Sequence, residues 1–552
     1  MKRHLVAADA DQIQHLLFRS SHLREVIGGS MLLSQFCKDG TNAALAKIGA
    51  SSKADVIIND GGSFRLEFDS PDKAREFLEY LADSFRKETG GTLTVAGPIE
   101  YEDDESQTNN KEDGFKAKNE KLQLDLLNAK YCREGAEAEP QLPISAFCTS
   151  CGTELATDYA TPTPELPKEE RIQTYLCSNC QNKTKERQEQ KHPFFNRYRE
   201  AIQQWEKKLN RKTEYPFENP MDPAELIGSL DATQYVGYVL ADANGMGRYF
   251  NKCKSKDDLA KLSDDLTNAL WTSLAEPIPD LIERLIKRDK LKNLKNRMPI
   301  VPLILGGDDL LALVPARYAL DIGRRIGKAF EDEKEMNKLG VTLGVAVIIC
   351  QNHYPYTLAY ERGHELLKQA KKLGKSLKSC KLSALNFEVI IGNELKASRA
   401  DQAAKKNEIR STLKPYWIGS KAEPNSLEVS NAGIHLDTFL EQRKNLKSIP
   451  KKRLHELRRF FDQEQANKPR DAAQWTKDFY EFRQRVKPEN WADALNKTLA
   501  VLGVDSNNNW RSVLRRPKED PYSASGMLDL IEAWDYAFQL HIEDKEYRVE
   551  ES

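Results

Sequence analysis

Two adjacent aspartates at a glycine turn are the residues of this sequence whose types and spacing point most directly to chemistry. Residues 304–311 read Ile-Leu-Gly-Gly-Asp-Asp-Leu-Leu. The flanking apolar runs predict two strands, and the two glycines predict a hairpin turn that carries Asp308 and Asp309 at its bend. Neighbouring carboxylates repel each other, and Mg²⁺ relieves that repulsion while keeping coordination positions open for phosphate oxygens. A solvated polar turn is the alternative, because Gly-Gly-Asp-Asp is also favourable turn sequence.

A third carboxylate stands where a predicted strand opens into a glycine loop. The apolar run Tyr235–Ala241 leads directly into Asp242. Such a strand end can place one carboxylate beside the pair in the hairpin, while backbone N–H groups of the loop face a triphosphate. Asp242, Asp308 and Asp309 could then hold two metal ions, Mg²⁺ or Mn²⁺, for nucleotidyl transfer. The loop residues expected to approach phosphates are Asn244, Gly245, Met246 and Gly247.

A lysine-rich helix end follows in a consistent order. After a predicted strand over Val341–Ile349, the segment Tyr356–Leu373 predicts a helix that ends near Lys371 and Lys375. Lysines at a helix C-terminus commonly serve only to offset the helix dipole. The order of these elements is a far more specific signal than any one of them. It runs strand-Asp, helix, Gly-Gly-Asp-Asp hairpin, helix, strand and helix-Lys.

Residues 1–100 repeat that α+β order without its carboxylates. The turn Asp60-Gly61-Gly62-Ser63 stands where the second unit has Gly-Gly-Asp-Asp. We interpret the two units as an internal duplication whose first copy has lost the catalytic aspartates.

These motifs resemble the palm domain of polymerases and nucleotide cyclases, including GGDEF-type diguanylate cyclases. They are most similar to the palm-containing large subunit of type III CRISPR effector complexes, the Cas10/Cmr2-type cyclic-oligoadenylate synthase. The stretch 21–30 resembles the first-palm helix motif of that family. The second-palm motif commonly reads Asp-x-Asp-Asn-hydrophobic-Gly, whereas this chain has Asn244 and Gly245 where Asp and Asn are usual. It therefore departs from the family at one possible metal contact.

The resemblance implies an α+β fold with two ferredoxin-like palm domains, an inserted zinc ribbon and a C-terminal helical bundle. The expected boundaries are 1–100 for an inactive first palm, 101–230 for a linker with the ribbon (148–180) and connecting helices, 231–395 for the second palm, and 396–552 for the helical domain. No His-Asp pair occurs in the sequence, so we expect a variant without the HD nuclease domain and without metal-dependent DNase activity.

The resemblance also implies that the protein converts ATP into cyclic oligoadenylates for antiviral defence. The partners implied are other subunits of the complex, guide RNA and target RNA, with target RNA activating the enzyme. A non-catalytic scaffold subunit and a stand-alone antiviral nucleotide cyclase with another product are the alternatives. Lys371 and Lys375 would neutralise the triphosphate, so we expect Lys371 to meet the nucleotide rather than the ion. The further nucleotide-binding positions implied are Gly306 and Gly307 in the hairpin, and Ser30 and Ser63 lining an acceptor-ATP pocket from the first palm.

Four of the nine cysteines form two Cys-x-x-Cys knuckles separated by 25 residues. Four thiolates at such spacing predict a tetrahedral structural Zn²⁺ site, because they leave no open coordination position for chemistry. Unligated thiols or disulfides are the alternative. The predicted ligands are Cys148, Cys151, Cys177 and Cys180.

Composition narrows the class of protein further. Lys plus Arg (83) balances Asp plus Glu (84), so net charge gives no argument for nucleic acid binding, and any RNA contact must come from local patches. No apolar run approaches the roughly 18 residues of a membrane span. The apolar run near the N-terminus is interrupted by Asp9 and does not fit a signal peptide. We therefore expect a cytoplasmic protein without membrane contact.

Overall fold

The computed structural model describes most of the two predicted palms and parts of the regions around them. The described residues are 2–20, 22–52, 54–102, 114–132, 145–160, 174–188, 193–210, 223–230, 233–287, 298–376, 382–391, 409–410, 412–419, 434–447, 449–461, 477–478, 481–482, 489–502, 511–513 and 522–541. None of the helices in these ranges combines the length and apolar composition needed to cross a lipid bilayer.

The first palm is a four-stranded antiparallel sheet in the order β2-β3-β1-β4. Its long helix α3 begins with Pro71, whose missing N–H is no loss in a first turn, and ends at Gly90 with φ 70°. The apolar side of the sheet packs with α3 and part of α2 in one core, which contains Phe36, Phe64 and Phe77. The elements are β1 (Lys2–Ala10), α1 (Ile13–Phe18), α2 (Leu23–Lys47), β2 (Ala54–Asp60), β3 (Ser63–Phe68), α3 (Pro71–Thr89) and β4 (Leu93–Glu102).

The described part of the segment between the palms contains four helices and one antiparallel pair of short strands. Helix α5 begins within the second cysteine knuckle and packs along α2 of the first palm. The elements are α4 (Phe115–Tyr131), β5 (Asp158–Ala160), β6 (Thr174–Leu176), α5 (Ser178–Gln188), α6 (Pro193–Lys208) and α7 (Pro223–Gly228).

The second palm contains a six-stranded sheet in the order β13-β11-β10-β7-β9-β8. Four adjacent strands of this sheet, β10-β7-β9-β8, have the connectivity of the first palm, since both sheets follow the order fourth, first, third, second. The predicted pair of ferredoxin-like palms is therefore confirmed. The elements are β7 (Tyr235–Ala243), α8 (Met246–Phe250), α9 (Lys256–Ala275), α10 (Ile278–Lys287), β8 (Val301–Gly306), β9 (Asp309–Pro315), α11 (Ala319–Asp332), α12 (Lys334–Leu339), β10 (Leu343–Gln351), α13 (Tyr356–Ser376), β11 (Ala384–Val389), β12 (Ile409–Arg410) and β13 (Tyr416–Trp417).

The C-terminal region differs from the sequence expectation in three details. Strand β13 pairs with β11, so the sheet extends past the predicted boundary at residue 395. A small sheet, β12-β15-β14, accompanies the helices. The sequence pattern over 527–542 predicts a helix, but the observed helix ends at Glu532. The pattern over 473–486 predicts another helix, which lies mostly outside the described residues. The elements are α14 (Leu436–Asn445), α15 (Lys451–Phe461), α16 (Glu489–Leu502), β14 (Arg511–Val513), β15 (Tyr522–Ala524) and α17 (Met527–Glu532).

A buried charge fixes one palm against the other. Glu67 in β3 is fully buried, with its side chain 0% exposed, and pairs with Arg3 at 2.9 Å and with Lys256 of α9 at 2.6 Å. The Tyr101 hydroxyl donates a further hydrogen bond to the same carboxylate. A buried carboxylate is costly unless it is paired and hydrogen-bonded, so this network favours one relative placement of the two palms.

Candidate functional site

The three predicted aspartates lie together at one end of the second-palm sheet. The antiparallel register between β7 and β9 places Asp242 directly opposite Asp309. Gly307 takes a left-handed φ of 61° in the β8–β9 turn, which brings Asp308 round to the β7 strand. There the Ala243 N–H donates to the Asp308 carbonyl oxygen at 3.3 Å.

Burial and mutual repulsion raise the pKa values of the two hairpin carboxylates. Burial, and next the charges of Asp308 and Asp242, raise the pKa of Asp309 to about 7, although Lys371 and Gln14 oppose the rise. Burial, and next the charge of Asp242, also raise the pKa of Asp308. Such crowding of partly buried carboxylates is typical of sites built for cations.

Lys371 lies inside this cluster. It is on α13, where its stem packs over Gly344 and its ammonium group forms an ion pair with Asp242. This ion pair places Lys371 beside the expected ion site, and its contact with a nucleotide stays a prediction. Lys375 belongs to the same helix, but its side chain lies outside the described residues.

The glycine loop after Asp242 is open to an incoming group. Gly245 has φ 74°, and no atom lies within 4 Å of the position that a Cβ would occupy there or at Gly247. Met246, in contrast, is buried and anchors the short helix α8. Asn244 Nδ2 donates to Thr342 Oγ1 at 3.0 Å. Its Oδ1 is buried with no hydrogen-bond partner among the described residues, which leaves an acceptor for a metal ion or a metal-bound water.

The first palm contacts the carboxylate hairpin through its own glycine turn, while the acceptor-ATP pocket expected at Ser30 and Ser63 stays a prediction. A Cβ on Gly61 would lie 2.6 Å from the Gly307 backbone nitrogen, so the two glycine turns touch. Ser63 Oγ instead donates to Asp9 at 2.8 Å. Ser30 is buried in α2 and, in the part of the chain that is described, shows no hydrogen bond to the three aspartates. Gly306 lies on the contact surface with Gly61.

Two further residues border the site that sequence reasoning did not single out. Gln14 of α1 donates through Nε2 to Asp309 Oδ2 at 3.4 Å. Tyr360 of α13 stacks at 6.0 Å on His364, and burial, followed by the charges of Asp309 and Asp242, raises the pKa of Tyr360. Helical spacing places Tyr360 and His364 on one face of α13, but nothing in the sequence links Gln14 to a residue 295 positions away.

The donor set fits divalent cations of the Mg²⁺ type, which prefer carboxylate oxygens. The three aspartates are more widely spread than ligands around a single ion. Within the described ranges, four cysteines form the only group of three or more His, Cys, Asp or Glu whose ligand atoms all lie within 4.8 Å of one another. Asp242, Asp308 and Asp309 are the residues that would hold such ions.

We predict that metal binding at this site depends on pH through Asp309. Its folded-state pKa, about 7, lies above the ordinary 3.8, so the metal-free fold gains stability from the neutral carboxyl below pH 3.8 and loses it as the pH rises to about 7. Bound metal requires the carboxylate. Affinity for Mn²⁺ should therefore fall about tenfold per pH unit below pH 7 and level off above it, which titrations followed by electron paramagnetic resonance can measure. An affinity unchanged between pH 5.5 and 7.5 would contradict this assignment.

The four cysteines of the two knuckles converge on one point. The sulfurs of Cys148, Cys151, Cys177 and Cys180 lie within 4.8 Å of one another, and Cys151 and Cys177 are 3.9 Å apart. Tetrahedral zinc with Zn–S bonds of about 2.3 Å requires sulfurs about 3.8 Å apart. The arrangement is thus compatible with the predicted Zn²⁺. Ser150, between the first two cysteines, donates to the buried Glu25 carboxylate of α2, so the zinc module is attached to the first palm.

We predict one tightly bound zinc ion per chain. Changing Cys148 or Cys177 to Ser should lower the melting temperature by several degrees, because a structural zinc contributes folding free energy directly. It should not specifically alter chemistry at the aspartates. Elemental analysis of dialysed protein checks the stoichiometry, and protein that contains no zinc would exclude the site.

Comparison with protein families supports the assignment of a second palm domain. Residues 235–378 match the family model described as Cas10/Cmr2, second palm domain. The match covers the aspartates, the glycine loop and Lys371. Comparison with curated protein sequences gives no significant match.

Solved structures with a similar arrangement are Csm1 proteins. The chain aligns with the apo Csm1–Csm4 cassette at 16% identity and a TM-score of 0.44, covering 68% of this chain and 53% of that one. It aligns with Csm1 of T. onnurineus at 15% identity and a TM-score of 0.41, covering 67% and 51%. A Csm1–Csm4 cassette in complex with cA4 aligns at 16% identity and a TM-score of 0.42, covering 68% and 53%. The chain therefore spans about half the length of these proteins.

Proposed function

We propose that the chain is a metal-dependent nucleotidyltransferase that joins ATP into cyclic oligoadenylates, since residues 235–378 match the family model of the Cas10/Cmr2 second palm domain. The observation that carries the proposal is the cluster of Asp242, Asp308 and Asp309 at the end of one sheet. These carboxylates are partly buried, and desolvation and mutual repulsion raise the pKa values of Asp308 and Asp309. They lie beside a glycine loop that is open to phosphates.

Each part of the site has a role in that reaction. A 3′-hydroxyl attacks the α-phosphorus of ATP, a new P–O bond forms, and the bond to pyrophosphate breaks as the hydroxyl loses its proton. Metal ions on the aspartates would supply the charge that activates the hydroxyl and stabilises pyrophosphate. The chain positions the triphosphate through the N–H groups near Gly245 and Gly247, and Lys371 is within reach of the same cluster.

The proposed setting is a guide-RNA complex that recognises target RNA, with Csm4-like and other subunits as partners. The proposed domain arrangement is an inactive first palm (1–100), a zinc-containing linker (101–230), a catalytic second palm (231–395) and a C-terminal helical domain (396–552). The first palm has Gly61-Gly62-Ser63 in place of Gly-Gly-Asp-Asp, so its role is to complete the site rather than to hold metal.

Product analysis tests the proposal. The purified chain, alone and with its partner subunits, guide RNA and target RNA, is incubated with each nucleoside triphosphate and Mg²⁺ or Mn²⁺. Chromatography and mass spectrometry then identify the products. We expect cyclic 3′–5′ oligoadenylates from ATP that depend on target RNA. Linear or differently based cyclic products made without RNA would favour a stand-alone cyclase, and no product in any condition would favour a scaffold.

A further inference from the structure

Gln14 of the first palm reaches a proposed metal ligand of the second. Its Nε2 donates to Asp309 Oδ2 at 3.4 Å, and this contact opposes the effects that raise the pKa of Asp309. Gln14 and Asp309 line the same small cleft, together with Tyr360 and His364. A glutamine at this point cannot transfer protons or carry charge, so its chemical contribution is a directed N–H donor.

The backbone around Gln14 is fixed by several contacts. The Asp11 N–H donates to the Thr92 carbonyl oxygen at 2.9 Å, and Thr94 Oγ1 donates to Asp11 Oδ1 at 2.6 Å. Gln12 then takes a left-handed conformation with φ 45° and ψ 48°. A residue other than glycine keeps such a conformation only where its surroundings impose it, at a cost of about 1–3 kcal/mol. Helix α1 therefore starts at a defined place and direction.

A second contact places the same part of the first palm against the hairpin. Ile13 at the start of α1 packs against Gly62, where a Cβ would lie 2.7 Å from Ile13 Cδ1. The adjoining Gly61 touches the Gly307 backbone. Helix α1 and the β2–β3 turn thus form one tip, which meets the hairpin with backbone at Gly61 and with a side chain at Gln14.

We propose that Gln14 is a positioning residue for the metal site, holding the Asp309 carboxylate in the orientation that binds the ion. The proposal rests on the proposed function, since it assumes that Asp309 binds metal. It gives the first palm a defined part in the chemistry of the second, because correct docking of the palms delivers the donor. Gln14 does not touch the reacting atoms and is not a catalytic residue. Partners of this kind commonly change metal affinity by about 10- to 100-fold when they are removed.

The test compares Gln14→Met with His15→Met in zinc-loaded full-length protein. Methionine keeps the approximate length of Gln14 without a donor, and His15 is an exposed neighbour on the same helix, so it controls for placing Met in α1. Binding of Mn²⁺ without nucleotide is measured by electron paramagnetic resonance at one pH. We expect Gln14→Met to bind about tenfold more weakly, with an unchanged melting temperature when metal-free. In turnover assays the Mn²⁺ concentration for half-maximal rate should rise while kcat at saturating Mn²⁺ changes little.

The possible results distinguish failure of this inference from failure of the proposed function. If Gln14→Met binds Mn²⁺ as tightly as the wild type and His15→Met, Gln14 has no positioning role and the proposed function is untouched. If both Met variants weaken Mn²⁺ binding equally, the effect comes from placing methionine in α1 and not from loss of the Gln14 donor. The inference again fails. If the wild type binds no Mn²⁺, or if Asp308→Asn/Asp309→Asn binds it equally well, the inference and the metal-dependent function fail together.

Discussion

The double substitution Asp308→Asn/Asp309→Asn is expected to abolish Mn²⁺ binding at the hairpin and to reduce nucleotide turnover at least about 1,000-fold. Bound metals supply several kcal/mol of transition-state stabilisation, and each 1.36 kcal/mol corresponds to a factor of ten in rate. The fold itself should not suffer. Asparagine has nearly the volume of aspartate and suits the same turn. The change also removes two partly buried carboxylates whose pKa values are raised by desolvation and repulsion.

The metal-free variant should therefore melt at a higher temperature than the wild type above pH 7, where Asp309 would otherwise carry charge. The control is Asp257→Asn/Asp258→Asn, which removes two neighbouring charges from the first turn of α9, where both residues are exposed. It should keep Mn²⁺ binding and turnover, with at most a small loss of stability from the helix dipole. A hairpin variant that lost activity and melted at a lower temperature than this control would indicate a structural role for the aspartates.

Lys371→Met is expected to have two opposite effects. The Lys371 ammonium group neutralises Asp242, so removing it should lower the stability of metal-free protein above pH 7 and strengthen Mn²⁺ binding by removing a competing cation. ATP should bind about 10- to 100-fold more weakly if the ammonium group moves to the triphosphate when metal displaces it. Methionine retains the apolar stem that packs over Gly344, so the comparison isolates the charge.

The neighbouring Lys372 provides the control, because it is exposed on the same helix. Lys372→Met should leave Mn²⁺ affinity, ATP affinity and melting temperature close to those of the wild type. Calorimetry can measure both affinities separately. Equal behaviour of Lys371→Met and Lys372→Met would show that the ion pair with Asp242 has no part in metal or nucleotide binding.

Sequence patterns could predict the parts of this molecule that depend on local chemistry. The hairpin required Gly307 with positive φ, and the neighbouring strands had to be apolar because they are buried on the sheet. Their order along the chain was enough to pair Asp242 with Asp309, since the ferredoxin-like connectivity puts the first and third strands side by side. The four cysteines likewise met because thiolates at that spacing share a ligand geometry.

Contacts between distant elements could not be predicted in this way. Gln14, Gly61 and Lys256 act across the boundary between the palms, where no periodicity or spacing records which residues will meet. Ser30 is buried within α2, and its expected place in an acceptor-ATP pocket rests on resemblance alone. The small C-terminal sheet was missed because strands of two or three residues leave no alternating pattern.

Pyrophosphate release from ATP tests catalysis at the hairpin most directly, when the chain is assembled with its partner subunits, guide RNA and target RNA in the presence of Mg²⁺ or Mn²⁺. We expect the wild type to release one pyrophosphate for each adenylate joined, and Asp308→Asn/Asp309→Asn to release none above background. Absence of release by the wild type in the complete assembly, or equal release by both proteins, would contradict the claim that these aspartates catalyse nucleotidyl transfer.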